Sequence, residues 1–149
     1  LKAGNVLGLY CGMAPMELLL SRESLNVIGV DSSKANIDNA RENALLNGIG
    51  NCSFLAGRVE DIVMDRSFRK PDLVVTDPPR SGISPRGITL IANLAPKALI
   101  YVSCNPATLA RDLGRLAAAG YAVELVAPFD LFPHTSHLET LTVLTKRRR

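Results

Sequence analysis

No stretch of this 149-residue chain approaches the roughly 20 consecutive apolar residues of a membrane span, and no signal peptide precedes the first strand-like segment. Cysteine is scarce. The three present include no C-x-x-C pair and no zinc-type spacing, which argues against a disulfide framework or a zinc module and reads as free thiols in a reducing, cytoplasmic setting. Internal repeats, low-complexity tracts and interior linkers are all missing. Positive charge in the body is also lacking. The net charge is +3, but the terminal Lys146-Arg147-Arg148-Arg149 carries four positive charges, so the rest is nearly neutral. Such a tail can attract a phosphate backbone, but a solvated chain end accounts for it equally well.

What is present is an ordinary soluble composition, 47% hydrophobic and 21% charged. A chain of this length buries roughly 70% of its unfolded surface, enough for one domain. Apolar runs alternate with helix-period segments. Strands are predicted at residues 5–10, 26–31, 53–56, 72–76, 99–103, 121–127 and 140–145, with helices at 15–22, 33–47, 87–94 and 107–119. Strand–helix alternation with short connections predicts an α/β fold, a doubly wound sheet of seven strands. The first residues run straight into a strand, as expected of one domain from a longer chain.

In such folds ligands bind beyond the carboxyl ends of the strands. The residues falling there are Tyr10-Cys11-Gly12, Asp31, Asp77 and Ser103-Cys104-Asn105. Asp31 follows Gly12 by 19 residues, a spacing suited to a carboxylate accepting ribose hydroxyls, although such an acid also caps helices. The turn CGMAPM lacks the G-x-G-x-x-G cradle for a pyrophosphate, which favours an adenosyl ligand without phosphates over a nicotinamide cofactor. Asp77-Pro78-Pro79-Arg80 presents a carboxylate on a stiffened turn. Cys11 and Cys52 read as inert packing thiols. Cys104 stands where a helix begins, and a helix N-terminus favours the thiolate form of a thiol; a nucleophile there needs an acid or base elsewhere. FPHTSHLET offers His134, His137 and Glu139. The histidines lie three apart, but no third ligand is evident, so no metal is expected. Glu139 is a candidate general base.

LYCGM, VTDPPRSG, YVSCNPATLARD and FPHTSHLET, in this order and across nearly the whole chain, resemble the catalytic domain of the S-adenosylmethionine-dependent RNA uridine-5-methyltransferases, which form 5-methyluridine in transfer or ribosomal RNA. The resemblance implies a class I methyltransferase fold, Rossmann-like, with a mostly parallel sheet and an antiparallel last strand, over residues 1–149. It implies S-adenosylmethionine as cofactor, bound by Tyr10, Gly12, Asp31 and Asp77, with Glu60-Asp61 near the adenine. It implies Cys104 as the nucleophile that adds to carbon 6 of a flipped-out uracil, and Glu139 as the base that removes the carbon-5 proton. The partner implied is an RNA, with no metal and no membrane, and with an upstream RNA-binding domain lying outside these residues.

Departures from the family pattern cluster in one loop. Gly8 stands where an acid is usual, Ala14 replaces a glycine, Pro15 a polar residue or asparagine, and Met16 a phenylalanine. These changes predict weakened cofactor binding or a reshaped loop. Cytosine-5 methylation is a second reading, but it usually places its cysteine in a Pro-Cys context after the fourth strand. The DPP turn also resembles amino-group methyltransferases, which need no Cys104. A non-catalytic binding module is the third reading.

Overall fold

A computed structural model of the chain describes residues 3–62, 70–135 and 138–147. His137 and two of the four tail residues, Arg148 and Arg149, lie outside that set. The strands are β1 (Ala3–Leu9), β2 (Ser24–Asp31), β3 (Cys52–Ala56), β4 (Leu73–Thr76), β5 (Ala98–Ser103), β6 (Tyr121–Phe129) and β7 (Glu139–Lys146). The helices are α1 (Pro15–Leu20), extended by a 3-10 turn at Ser21–Glu23, then α2 (Lys34–Leu46), α3 (Val59–Ile62), α4 (Pro85–Leu94) and α5 (Pro106–Ala118).

The seven strands form one sheet in the order β3-β2-β1-β4-β5-β7-β6. All pairs are parallel except those of β7, which runs antiparallel to both β5 and β6. The order reverses between β1 and β4, and that switch is where an open α/β sheet forms its ligand crevice. This is the predicted doubly wound fold with its antiparallel last strand.

The central strands are apolar on both faces because helices cover both. Alternation along β1 sorts its side chains: Leu7 and Leu9 join Val74, Leu99, Ile88, Ile91, Leu109 and Leu116 beneath α4 and α5. Val6 faces the other way, with Val27, Leu73, Val75, Met16 and Leu20 beneath α1. Cys11 packs with Ala14, Ile37, Ala40 and Phe54 under α2, and burial pushes its thiol up to about 12, so it is the inert packing cysteine expected.

Boundaries shift for local reasons. α4 starts at Pro85 rather than Gly87, since Ser84 caps it by accepting the Gly87 N–H at 3.0 Å and proline suits the first helical turn. α3 was not predicted, being only four residues long. β7 begins at Glu139, one residue before the expected strand, so Glu139 belongs to the sheet and pairs with Phe129. The basic tail is partly structural: Lys146 donates from Nζ to Ala119 O at 2.8 Å and lies 4.5 Å over the Tyr121 ring, closing the C-terminus of α5.

Candidate active site at the strand tips

Sheet order places the predicted site residues side by side. Read across the carboxyl ends, β2 presents Asp31, β1 leads into Tyr10-Cys11-Gly12, β4 ends at Asp77, and β5 ends at Cys104. Strands lie about 4.8 Å apart, so Asp31 and Cys104 are separated by three spacings, about 14 Å. In the β5–β7 ladder Ser103 pairs with Thr140, so Cys104, just past the end of β5, and Glu139, the first residue of β7, lie at the same end of the sheet. The structure thus brings the ends of these two motifs to one edge of the sheet, which spacing alone did not show.

The Cys104 turn is held firmly. Asn105 caps α5, its Oδ1 accepting the N–H groups of Ala107 at 3.0 Å and Thr108 at 3.5 Å. Its Nδ2 donates to Arg80 O at 3.2 Å, and Thr108 Oγ1 donates to the same carbonyl at 3.1 Å. Pro106 fills the first helical position. The turn bearing the thiol is therefore tied to the turn bearing Asp77. Asn105→Ala removes the cap and is expected to lower stability by about 1 kcal/mol, read as a shift of the urea midpoint.

A second tie lies deeper. Asp112 on α5 is fully buried. Its Oδ2 accepts the Ile83 N–H at 2.8 Å and the Tyr101 hydroxyl at 2.9 Å, while Oδ1 faces Arg111 Nε at 3.0 Å and Arg115 Nη1 at 3.5 Å. Arg111 also donates to Ser81 O at 2.7 Å. Gly82 passes so close that an added Cβ would strike the Asp112 carboxylate, and its φ of +76° suits only glycine at low cost. Sequence reading passed over Asp112; its signal was an acid on the helix face otherwise occupied by Leu109 and Leu116.

On the other side of the switch, Asp31 Oδ2 accepts the Gly12 N–H at 2.9 Å, and Oδ1 accepts from Ser33 N at 2.8 Å and Asn36 Nδ2 at 3.3 Å. Asp31 therefore organises the turn and the start of α2, and Oδ2, which accepts one bond, keeps a lone pair for a further donor. Gly12 opens onto free space, with nothing within 4 Å of where a Cβ would stand. The altered loop keeps a tight turn: Ala14 N–H donates to Cys11 O at 2.8 Å, and Ala14 itself takes a left-handed φ of 66°. Tyr10 is also left-handed, at φ 57°, a conformation costing about 1–2 kcal/mol outside glycine. Its phenol is raised to about 12, chiefly by burial and then by the charges of Glu60 and Asp112, so it stays neutral. Asp77 is exposed at the crevice, yet desolvation on its protein side is the largest influence and raises its carboxyl, with the Glu139 charge adding.

Glu60 is half-buried and accepts the Ser84 hydroxyl at 2.5 Å, a bond that holds its carboxyl below the usual range. With Asp61 it lines a cleft of about 620 Å³ against Pro85, Arg86 and Thr89 on α4. That cleft lies beside the strand-tip row, not on it. Among the described residues, no group of three His, Cys, Asp or Glu is arranged to hold a metal ion. No helix among them is long and apolar enough to cross a membrane.

One acid escaped the sequence reading altogether. Glu17 on α1 is fully buried, and neither carboxyl oxygen has a hydrogen-bond partner. Burial is the main force raising its carboxyl to about 7; a contact with its own backbone N–H, short of a hydrogen bond, opposes this, and the charges of Asp77 and Asp31 add to it. Because the native pKa exceeds the ordinary 4.5, the folded state holds the proton more tightly than the unfolded chain does. Stability is then complete below about pH 4.5 and declines as pH rises to about 7. Glu17→Gln is expected to be more stable than the parent by up to about 3 kcal/mol above pH 7 and equal to it below pH 4.5, measured by urea unfolding across pH.

The residues fit a cationic adenosyl ligand. The crevice is open at Gly12 and bordered by Asp31 and Asp77, two carboxyl groups able to accept from a positively charged ligand.

Comparisons with known proteins bear on the family and the fold. Residues 1–147 match the family model described as tRNA (Uracil-5-)-methyltransferase. An RNA methyltransferase of Gloeobacter violaceus is 45% identical over 142 residues, covering 95% of this chain and 30% of the relative. The 23S rRNA (uracil(1939)-C(5))-methyltransferase RlmD of Klebsiella pneumoniae is 42% identical over 145 residues, covering 96% and 33%. Among solved structures, the tRNA (uracil-54, C5)-methyltransferase of Pyrococcus abyssi, in complex with S-adenosyl-L-homocysteine, superimposes with a TM-score of 0.83 at 32% identity, covering 95% of this chain and 34% of that one. The chain thus spans about a third of the length of the relatives it matches.

Proposed function

Since the chain belongs to the tRNA (uracil-5-)-methyltransferase family, we propose that it is the catalytic domain of an enzyme methylating carbon 5 of a uridine in transfer or ribosomal RNA, through a covalent adduct on Cys104. The observation that carries this reading is the β5–β7 register: Ser103 pairs with Thr140, the neighbours of Cys104 and Glu139, and the Glu139 charge is felt at Asp77.

The division of labour follows the row of strand tips. Asp31 takes the ribose hydroxyls, Gly12 lets the ligand approach the backbone, and Asp77 and Tyr10 flank the crevice, with adenine toward Glu60 and Asp61. Bound there, S-adenosylmethionine supplies an electrophilic methyl group. Cys104 attacks carbon 6 of the uracil, forming a C–S bond and moving the electron pair of the 5,6 double bond into an enolate. Carbon 5, otherwise a poor nucleophile, would then take the methyl group with the enolate electron pair, the sulfur–methyl bond breaking to leave a neutral thioether. Glu139 then takes the carbon-5 proton, the double bond re-forms, and the C–S bond breaks to release Cys104. Flipping the base out of any stack brings carbon 6 to the strand tip. A nearly neutral body leaves most phosphate contacts to an upstream RNA-binding domain.

Tritium release tests the reaction. RNA carrying tritium at carbon 5 of uridine is incubated with the chain and S-adenosylmethionine, and label in water is counted. Release from uridine with none from 5-tritiated cytidine is the expected result. Release from cytidine alone would replace this reading with cytosine-5 methylation, and release from neither, with a short single-stranded RNA in excess, would overturn it.

A further inference from the structure

Glu17 stands out because nothing in the fold explains it. A carboxyl removed from water without a hydrogen-bond partner is costly, and such groups are rare in stable proteins. Its seat is made by Gly8 on β1: a Cβ there would run into the Glu17 side chain, with Cγ and Cδ each 2.6 Å away. Gly8 thus vacates space above the central strand, and α1 fills that space with an acid. The titratable groups that face Glu17 are Cys11 in the loop after β1, Asp31 on β2, Cys52 on β3 and Asp77 after β4. All are neutral or negative, and among the described residues no lysine, arginine or histidine pairs with it. Gly8 lies one residue below Leu9, the last of β1, a rise of about 3.3 Å, which is within the range of an unscreened charge. The buried acid therefore sits under the open crevice at Gly12 with two further carboxylates at its rim, and a cation is the one partner missing.

We propose that Glu17 is a positioning residue of the cofactor site, a buried carboxyl on α1 that acts through space on the cationic methionine end of S-adenosylmethionine and releases its proton to solvent when that cation binds. The inference rests on the cofactor reading above. In the free chain the carboxyl is held as the acid by burial and by Asp31 and Asp77. Entry of a sulfonium and an ammonium, offset by the ligand's one carboxylate, brings a net positive charge that offsets Asp31 and Asp77; the O–H bond breaks, the proton goes to solvent, and the carboxylate remains as counter-charge. This gives the loop altered at Gly8 an acid contributed from the helix instead of the strand.

The test is calorimetric titration of S-adenosylmethionine into the chain at pH 6.5, in two buffers of different ionisation enthalpy, with S-adenosylhomocysteine, which lacks the sulfonium charge, alongside. The parent chain is expected to release part of a proton on binding, more with S-adenosylmethionine than with S-adenosylhomocysteine, and to bind about tenfold tighter at pH 8 than at pH 6. Glu17→Gln, which preserves size, is expected to show no release and a flat pH dependence. The swap Glu17→Ala with Gly8→Asp returns an acid to the same space from β1 and is expected to restore the release, so the inference remains testable if the glutamine variant folds poorly. Parent-like proton release in Glu17→Gln, or tight binding by the parent without release, would overturn the inference and leave the cofactor reading standing. Absence of binding by the parent at every pH would overturn both.

Discussion

Cys104→Ala is expected to reduce methyl transfer by at least about 10⁴-fold while leaving the fold and cofactor binding intact. The size follows from the chemistry. Without the adduct, carbon 5 of uracil has no developing enolate behind it, and no other thiol can substitute. Cys11 is buried beneath α2 with its thiol raised to about 12, and Cys52 lies at the start of β3, at the opposite end of the sheet from the site. Removing a nucleophile that acts as one unit with its base abolishes nearly all the rate that unit supplies. Fold effects should be small because Cys104 is only half-buried, and its turn is held by Asn105, Pro106 and Thr108 instead. Glu139→Gln is the informative companion. It blocks the last proton transfer after both bonds have formed, so protein–RNA adduct should accumulate on denaturing gels. Slow turnover without adduct would place Glu139 in some other role.

Asp112→Ala is expected to cost about 3–5 kcal/mol, seen as a lower urea midpoint with unchanged slope. The substitution leaves the Ile83 N–H and the Tyr101 hydroxyl without an acceptor in the core, and deprives Arg111 and Arg115 of their shared carboxylate. A domain stable by roughly 5–15 kcal/mol loses a large share of its margin. Asp112→Asn keeps one acceptor oxygen and should cost less. Tyr101→Phe, which removes a single donor, should cost about 1 kcal/mol. A loss near zero for Asp112→Ala would mean that the turn after β4 is held to α5 by other contacts.

Much of the fold is legible in the sequence for a physical reason. A parallel sheet covered on both faces needs nearly continuous apolar strands, and NVIGV, LVVT and ALIYV are such runs. Asp31, Asp77 and Cys104 are legible because a polar residue immediately after such a run must emerge at the sheet edge. Other features depend on contacts between distant segments. Nothing local marks Glu17 as buried, since its place exists only because Gly8 on another element leaves room for it. Asp112 resembles any polar helix residue until α5 docks on the turn at Gly82. Asp31 was expected to face a ligand, and it also carries the Gly12 turn, a bond across 19 residues. Lys146 belongs to a charge run in sequence but closes α5 in the fold.

The central claim is that Cys104 attacks carbon 6 of a uracil. Its most direct test is trapping on RNA containing 5-fluorouridine, with S-adenosylmethionine present, followed by denaturing electrophoresis and peptide mapping. Fluorine cannot leave carbon 5 as a proton does, so the adduct should persist after methyl transfer. The account predicts a covalent band that maps to Cys104 and is absent from Cys104→Ala. A band mapping to another residue, or none where tritium release shows turnover, would contradict it.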